Sequence, residues 1–132
     1  MLTAESRLNA VLAHRMSFGA RIVYALLFAG SLATAIAVAG VGTWQIWAFL
    51  VGPDLALLFG AGAGLEKGQL HPRAVPLYNA LHRFVGPVLL GLASIWLGPG
   101  WLAGALAWAA HIFMDRSAGY HLRTPEGFQR EL

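Results

Sequence analysis

The sequence predicts an all-α integral membrane protein, a bundle of four transmembrane helices, and three observations predict it. Only 11% of the 132 residues are charged while 58% are hydrophobic, against about 25% charged in a soluble domain. Two stretches lack Asp, Glu, Lys and Arg altogether: 32 residues between Arg21 and Asp54, and 31 between Arg83 and Asp115. Glycine or proline interrupts each stretch near its middle.

As one unbroken helix, either stretch would reach roughly 47 Å, against a hydrocarbon core of about 30 Å. Each therefore reads as parts of two helices joined by a turn. Gly40 and Gly42 mark the first turn, and Gly98-Pro99-Gly100 the second. The segment from Gly62 to Pro72, with Glu66, Lys67, Gly68 and His71, separates the middle pair. Helices are expected at 20–40, 43–63, 74–97 and 101–121 in a single membrane domain, after a polar lead at 1–19 and before a tail at 122–132. A cleavable signal peptide is the weaker reading, because the apolar run begins only after residue 21 and continues into a second span.

Other classes are excluded by composition. The apolar content is far above that of a disordered chain. With no cysteine, disulfide scaffolds, Cys-ligated zinc and iron–sulfur clusters are ruled out. Nine basic residues spread along the chain make no basic face for nucleic acid.

Charge placement orients the bundle. The two apolar turns contain no Lys or Arg. Arg7, Arg15 and Arg21 lie in the lead and first turn, Lys67 and Arg73 in the central loop, and Arg116, Arg123 and Arg130 towards the tail. A four-helix count puts these three regions on one side, which the positive-inside rule makes cytoplasmic. Trp44, Trp47, Trp96 and Trp101 flank the uncharged turns, as an aromatic belt at the opposite interface does. Both termini are thus expected in the cytoplasm, with the chain in the inner membrane.

Ionisable residues inside the spans are costly, about 2.5–3.5 kcal/mol each on insertion scales, and so should face inward and meet. By rise per residue, Asp54, His82, Arg83, His111 and Asp115 all fall between the bilayer centre and its cytoplasmic face. Asn79 is three residues from His82 and four from Arg83, and His111 is four from Asp115; such pairs share a helical face. Pro53 frees a backbone carbonyl near residue 49 and kinks its helix, and Gly86-Pro87 does the same in the next.

Imidazoles and carboxylates converging from three helices suit a divalent metal of the Zn, Mn, Fe, Co or Ni type. The candidate ligands are Asp54, His82, His111 and Asp115, with Asn79, Tyr78 and Tyr120 as residues that orient them. Arg83 offers a bidentate fork for a phosphate or carboxylate. Two other readings stand beside this one. The cluster is a set of ion pairs, Asp54 with Arg83 and Asp115 with Arg116 or His111. Alternatively, Ala107 one turn before His111 admits a haem or chlorophyll ring as cofactor. The remaining polar or small motifs read more simply. His14 and His71 lie in solvated segments, and His121 at an interface. Trp108 packs or faces lipid. Gly60-Ala61-Gly62-Ala63-Gly64 lacks the lysine of a nucleotide loop, and Ala103, Ala107 and Ala110 form a helix-contact surface.

Pro53-Asp54-Leu55, Tyr78-Asn79-x-x-His82, Gly86-Pro87, Ala110-His111-Ile112-x-x-Asp115-Arg116-x-x-Gly119-Tyr120 and Pro125-x-Gly127-Phe128 together resemble a bacterial domain-of-unknown-function family, number 4260. The resemblance covers roughly residues 22–132 and implies a small, four-helical, membrane-embedded protein without an assigned reaction. More loosely, Asp54, His82-Arg83 and His111-x-x-x-Asp115 are similar to inner-membrane proteins described as metal-dependent hydrolases. That similarity implies a metal-activated water, with Asp54 or Asp115 as base and Arg83 at the substrate.

The leading functional expectation is a metal-dependent hydrolase acting on a lipid-like substrate. The alternative is a non-enzymatic membrane component that binds a cofactor or partner subunit. The bilayer is a partner in either case, and a homo-oligomer or a place in a larger membrane complex is compatible with both. The topology carries its own test: a reporter fused near Gly68 behaves as cytoplasmic and one at Gly98 as external. The reverse pattern at either site refutes the four-helix count.

Overall fold

In a computed structural model of the chain, residues 3–4 and 16–130 are described. Most of the expected polar lead, including Glu5, Arg7, His14 and Arg15, lies outside the described residues. The described chain is helical, and its only β pairing is an isolated bridge between Arg123 and Gln129.

Helix α1 spans Phe18–Ala39. Ser17 caps it by accepting from the Ala20 amide at 3.1 Å, and Gly40 ends it at φ 91°. Its 22 residues extend about 33 Å, and among the described residues it alone is long and apolar enough to cross a membrane unaided. Helix α2, Trp44–Val51, runs into a 3₁₀ turn at Gly52–Leu55 and then the short α3, Ala56–Phe59. Pro53 explains the change of pitch, since it has no N–H to continue the α ladder. A second 3₁₀ turn at Pro72–Ala74 leads into α4, Val75–Leu81, and His71 caps that turn through Nδ1, which accepts from the Arg73 amide.

Helices α4 and α5, the latter Val85–Leu97, meet at a 46° bend. Pro87 lacks the N–H that would reach the Arg83 carbonyl, so the break falls one turn before it. With its 3₁₀ turn, the bent pair forms a second spanning unit if its two halves cross together. Helix α6, Pro99–Ser117, is the hub, packing against α1, α2 and α5. Small residues permit that approach: Ala103 and Ala107 form a core with Ala35 of α1 and Ile46 of α2, and a Cβ at Gly104 would press on Phe49 and Gln45.

The two ends differ chemically. At one, Arg21 Nε donates to the Ser117 carbonyl at 2.7 Å, tying the start of α1 to the end of α6. At the other, Trp44 and Trp101 meet edge to face at 5.6 Å, and Trp47 Nε1 closes the first turn on the Val41 carbonyl. The central loop and tail join each other: the Leu70 amide donates to the Gly127 carbonyl at 2.9 Å, and Gln69 Nε2 to the Glu126 carbonyl.

Expected and observed bounds differ most where proline or glycine intervenes. The second helix, expected to run to residue 63, stops at Phe59 after its 3₁₀ interruption. The third is broken at residues 82–84 rather than continuous, because Pro87 has no N–H to give the Arg83 carbonyl. The fourth starts at Pro99 and stops at Ser117 rather than at 121.

Gly127 sits at φ 101°, and a Cβ there would run into the Leu70 backbone carbonyl. Gly127→Ala is expected to undock the tail and cost at least about 1–3 kcal/mol. Thermal unfolding, with proteolysis after Arg123, measures this. An unchanged midpoint would refute it.

Candidate metal centre

Three structural interruptions or ends place the four polar side chains. Asp54 projects from the 3₁₀ turn that follows α2. His82 is the residue capping the C-terminus of α4. His111 and Asp115 stand one turn apart in the last third of α6. Their ligating atoms all lie within 4.8 Å of one another.

The separations are specific. His82 Nε2 lies 3.3 Å from Asp54 Oδ1 and 3.1 Å from Asp115 Oδ2. His111 Nε2 lies 3.2 Å and 3.3 Å from the same two oxygens. The two Nε2 atoms are themselves 3.2 Å apart. A tetrahedral ion with bonds of 2.0–2.1 Å requires ligand–ligand edges of about 3.3 Å, and the five separations that involve a histidine are close to that length.

The outer nitrogens decide what the inner ones can offer. His111 Nδ1 is 2.7 Å from the Leu50 carbonyl, and His82 Nδ1 is 2.7 Å from the Tyr78 carbonyl. A carbonyl oxygen only accepts, so both Nδ1 atoms carry hydrogen. In a neutral ring the Nε2 lone pair then faces the centre. With both rings neutral, two such lone pairs and two carboxylate oxygens meet with no donor among them, an arrangement that a metal cation would satisfy. A histidine whose outer N–H is held by a carbonyl is also the usual geometry of a metal ligand.

The helix interruptions supply those carbonyls. The 3₁₀ turn at Gly52 releases the Leu50 carbonyl from its ordinary partner four residues on. His82 ends α4, so the Tyr78 carbonyl takes both the His82 amide at 3.1 Å and its ring. Leu81, freed at the same break, receives Trp108 Nε1 at 2.7 Å; Trp108, expected to pack or face lipid, is therefore also a hydrogen-bond donor. Its ring stacks on Phe49 at 5.7 Å.

Burial is uneven. His82 and His111 are 4% and 1% exposed, whereas the Asp54 side chain is 42% exposed and Asp115 15%. The centre is closed on the histidine side and open at Asp54. The Tyr78 ring lies flat on His82, with centroids 3.9 Å apart, and the Arg123 guanidinium covers its far side at 5.0 Å.

The structure brings together Asp54, His82, His111 and Asp115, and gives the residues expected to support them differing roles. Asn79 does not orient a ligand: its amide clamps the tail, receiving the Arg123 amide at 2.8 Å and donating to the Arg123 carbonyl at 3.0 Å. Tyr78 acts through its carbonyl and ring face rather than its hydroxyl. Tyr120 is exposed, and its backbone amide donates to the Asp115 carbonyl at 2.8 Å. Arg83 is exposed and, among the described residues, has no carboxylate within ion-pairing distance.

Of the ion pairs expected as the alternative, Asp115 with His111 is present at 3.3 Å; the other pairings differ. Asp54 pairs with the two histidines rather than with Arg83. Arg116 lies over the Phe84 and Tyr24 rings rather than on Asp115. A porphyrin beside His111 finds no room, because Ala107 is fully buried against Ala35 and Ile46 and His111 Nε2 points into the cluster.

His121, expected at an interface, lies in the tail and shares a crevice with His82 and Asp115. No spacing rule reaches it, since it follows the last turn of α6.

A family model for a domain of unknown function, DUF4260, matches residues 19–131. The chain belongs to the DUF4260 family. No curated protein and no solved structure matches it. All four cluster residues, and His121, fall within the matched DUF4260 span.

The two kinds of contact separate by mutation. His82→Ala or His111→Ala in this DUF4260 chain is expected to abolish binding of added Zn²⁺, measured by metal content after gel filtration. Asn79→Ala should leave that content unchanged while lowering stability by about 1 kcal/mol or more. Metal loss in Asn79→Ala would return that residue to the centre.

Proposed function

We propose that this protein is an integral membrane metalloprotein whose metal-activated water hydrolyses a membrane-borne substrate. Four apolar segments form the bundle in this reading: α1, α2 with α3, the bent α4–α5 pair, and α6. The charged end, with Arg21, Lys67, Arg73 and Arg123, faces the cytoplasm of a bacterial inner membrane. An exterior that exposes Phe18, Leu26, Leu58, Ile95 and Trp96 supports lipid contact, since soluble monomers rarely expose so much contiguous apolar surface.

The observation that carries the metal reading is the convergence of two carbonyl-oriented histidines and two carboxylates on one point. The donor set lacks sulfur and suits Zn, Mn or Fe. A divalent ion there would polarise an ester or phosphoryl oxygen and activate water. The half-exposed Asp54 marks the side from which a substrate approaches, and Arg83, without an ionic partner among the described residues, suits an anionic headgroup.

One observation favours a second reading. Four protein ligands fill a tetrahedral zinc, as they do in structural sites. In that case the ion clamps α2, α4 and α6 together in a non-enzymatic membrane component.

Protein purified in detergent is expected to hold one divalent metal per chain and to release it below about pH 6, where protons compete for imidazole. Hydrolysis of ester or phosphodiester lipids in mixed micelles should stop on chelation and return with metal. Absence of metal binding overturns the metal reading. Stoichiometric metal with no hydrolysis across those lipids decides for the structural clamp.

A further inference from the structure

The crevice between the end of α6 and the tail is built from the cluster outward. Its walls include His82 and Asp115, together with Arg116, Tyr120, His121 and Leu122. Neither Asp54 nor His111 lines it, so it meets the centre along the His82–Asp115 edge alone. Its free space suits about one water molecule.

One wall atom is an orphan. Among the described residues, His121 Nε2 is buried without a hydrogen-bond partner, and a buried polar atom in that state calls for a bound water or a chemical role. Burial and the nearby Arg116 charge lower the proton affinity of the ring, which keeps it neutral near pH 7 and able to accept. Asp115 uses Oδ2 towards the histidines, which leaves its second oxygen as another acceptor. Arg116 adds N–H donors. A water here therefore has the two to four polar partners that buried waters have.

We propose that this crevice is a one-water site on the His82–Asp115 edge of the metal centre, with His121 Nε2 as the water's hydrogen-bond partner. The proposal rests on the metal reading and deepens it. With Asp54 and Asp115 spending oxygens on the metal, His121 replaces them as the group that receives the nucleophilic water. The water is a fifth neighbour of the ion, the expansion that catalytic zinc sites undergo and closed structural sites do not.

Cobalt reports coordination number directly, since five-coordinate Co²⁺ absorbs visible light more weakly than tetrahedral Co²⁺. The full chain in detergent is loaded with Co²⁺, and its spectrum and metal content are compared with those of His121→Phe, which fills the crevice, and His121→Gln, which keeps a polar partner. The His121 backbone amide bonds Gln129 Oε1 at 2.9 Å, so side-chain exchange leaves that tail contact in place. The expected result is a weak, five-coordinate spectrum in the wild type and in His121→Gln. His121→Phe should give several-fold stronger tetrahedral bands at equal cobalt content. If His121→Phe fails to fold, His121→Ala in its place is expected to change the spectrum relative to the wild type. Superimposable spectra of wild type and the folded apolar variant, at equal cobalt, overturn the water site while leaving the metal centre standing. Failure of the wild type to retain cobalt overturns the metal reading and this proposal with it.

Discussion

Two hydrogen bonds from imidazole to backbone organise this molecule: His111 Nδ1 to the Leu50 carbonyl and His82 Nδ1 to the Tyr78 carbonyl. The Leu50 carbonyl is an acceptor that the 3₁₀ turn leaves without its α-helical partner, whereas the Tyr78 carbonyl accepts both the ring and the His82 amide; leaving such a buried group unpaired costs about 1–3 kcal/mol. Each ring bond also fixes a tautomer, and so turns an Nε2 lone pair towards the centre. The backbone irregularity and the ligand geometry are thus one feature. Straightening the 3₁₀ turn at Gly52–Leu55 would withdraw both Asp54 and the partner of His111.

Helix α6 transmits that arrangement to the rest of the fold. Its small residues Ala103, Gly104 and Ala107 let α1 and α2 approach closely, while its last third carries His111 and Asp115. One helix therefore serves packing at its aromatic end and chemistry at its charged end. The distance between the two functions is about two turns, or 11 Å. Apolar contacts made by Ile46 and Ala35 set the height at which Leu50 meets His111.

The tail is a working wall rather than a loose end. Asn79 grips the Arg123 backbone on both sides, and Arg123 also donates to the Gly68 and Gly127 carbonyls at 3.0 and 2.8 Å. This grip holds Arg123 over Tyr78, which lies on His82. It also carries His121 to the edge of the cluster. Stability of the tail and the shape of the site are coupled through these contacts.

Sequence alone determined much of this. The scarcity of charge made the chain apolar and helical, and glycine and proline located the turns at Gly40 and Gly98 to within a residue or two. Counting residues along each helix brought Asp54, His82, His111 and Asp115 to one level, because a helix advances a constant distance per residue. Roles that depend on rotation or on contacts across the chain were not legible in that way. Asn79 shares a helical face with His82, yet its amide is taken by a tail 44 residues away; Arg83, next to His82 in sequence, is turned outward by the break between α4 and α5. His121 reaches the cluster only because the chain reverses after Ser117. Periodicity specifies position along a helix, whereas the bend at residues 82–84 and the docking of the tail decide direction, and only tertiary packing fixes those.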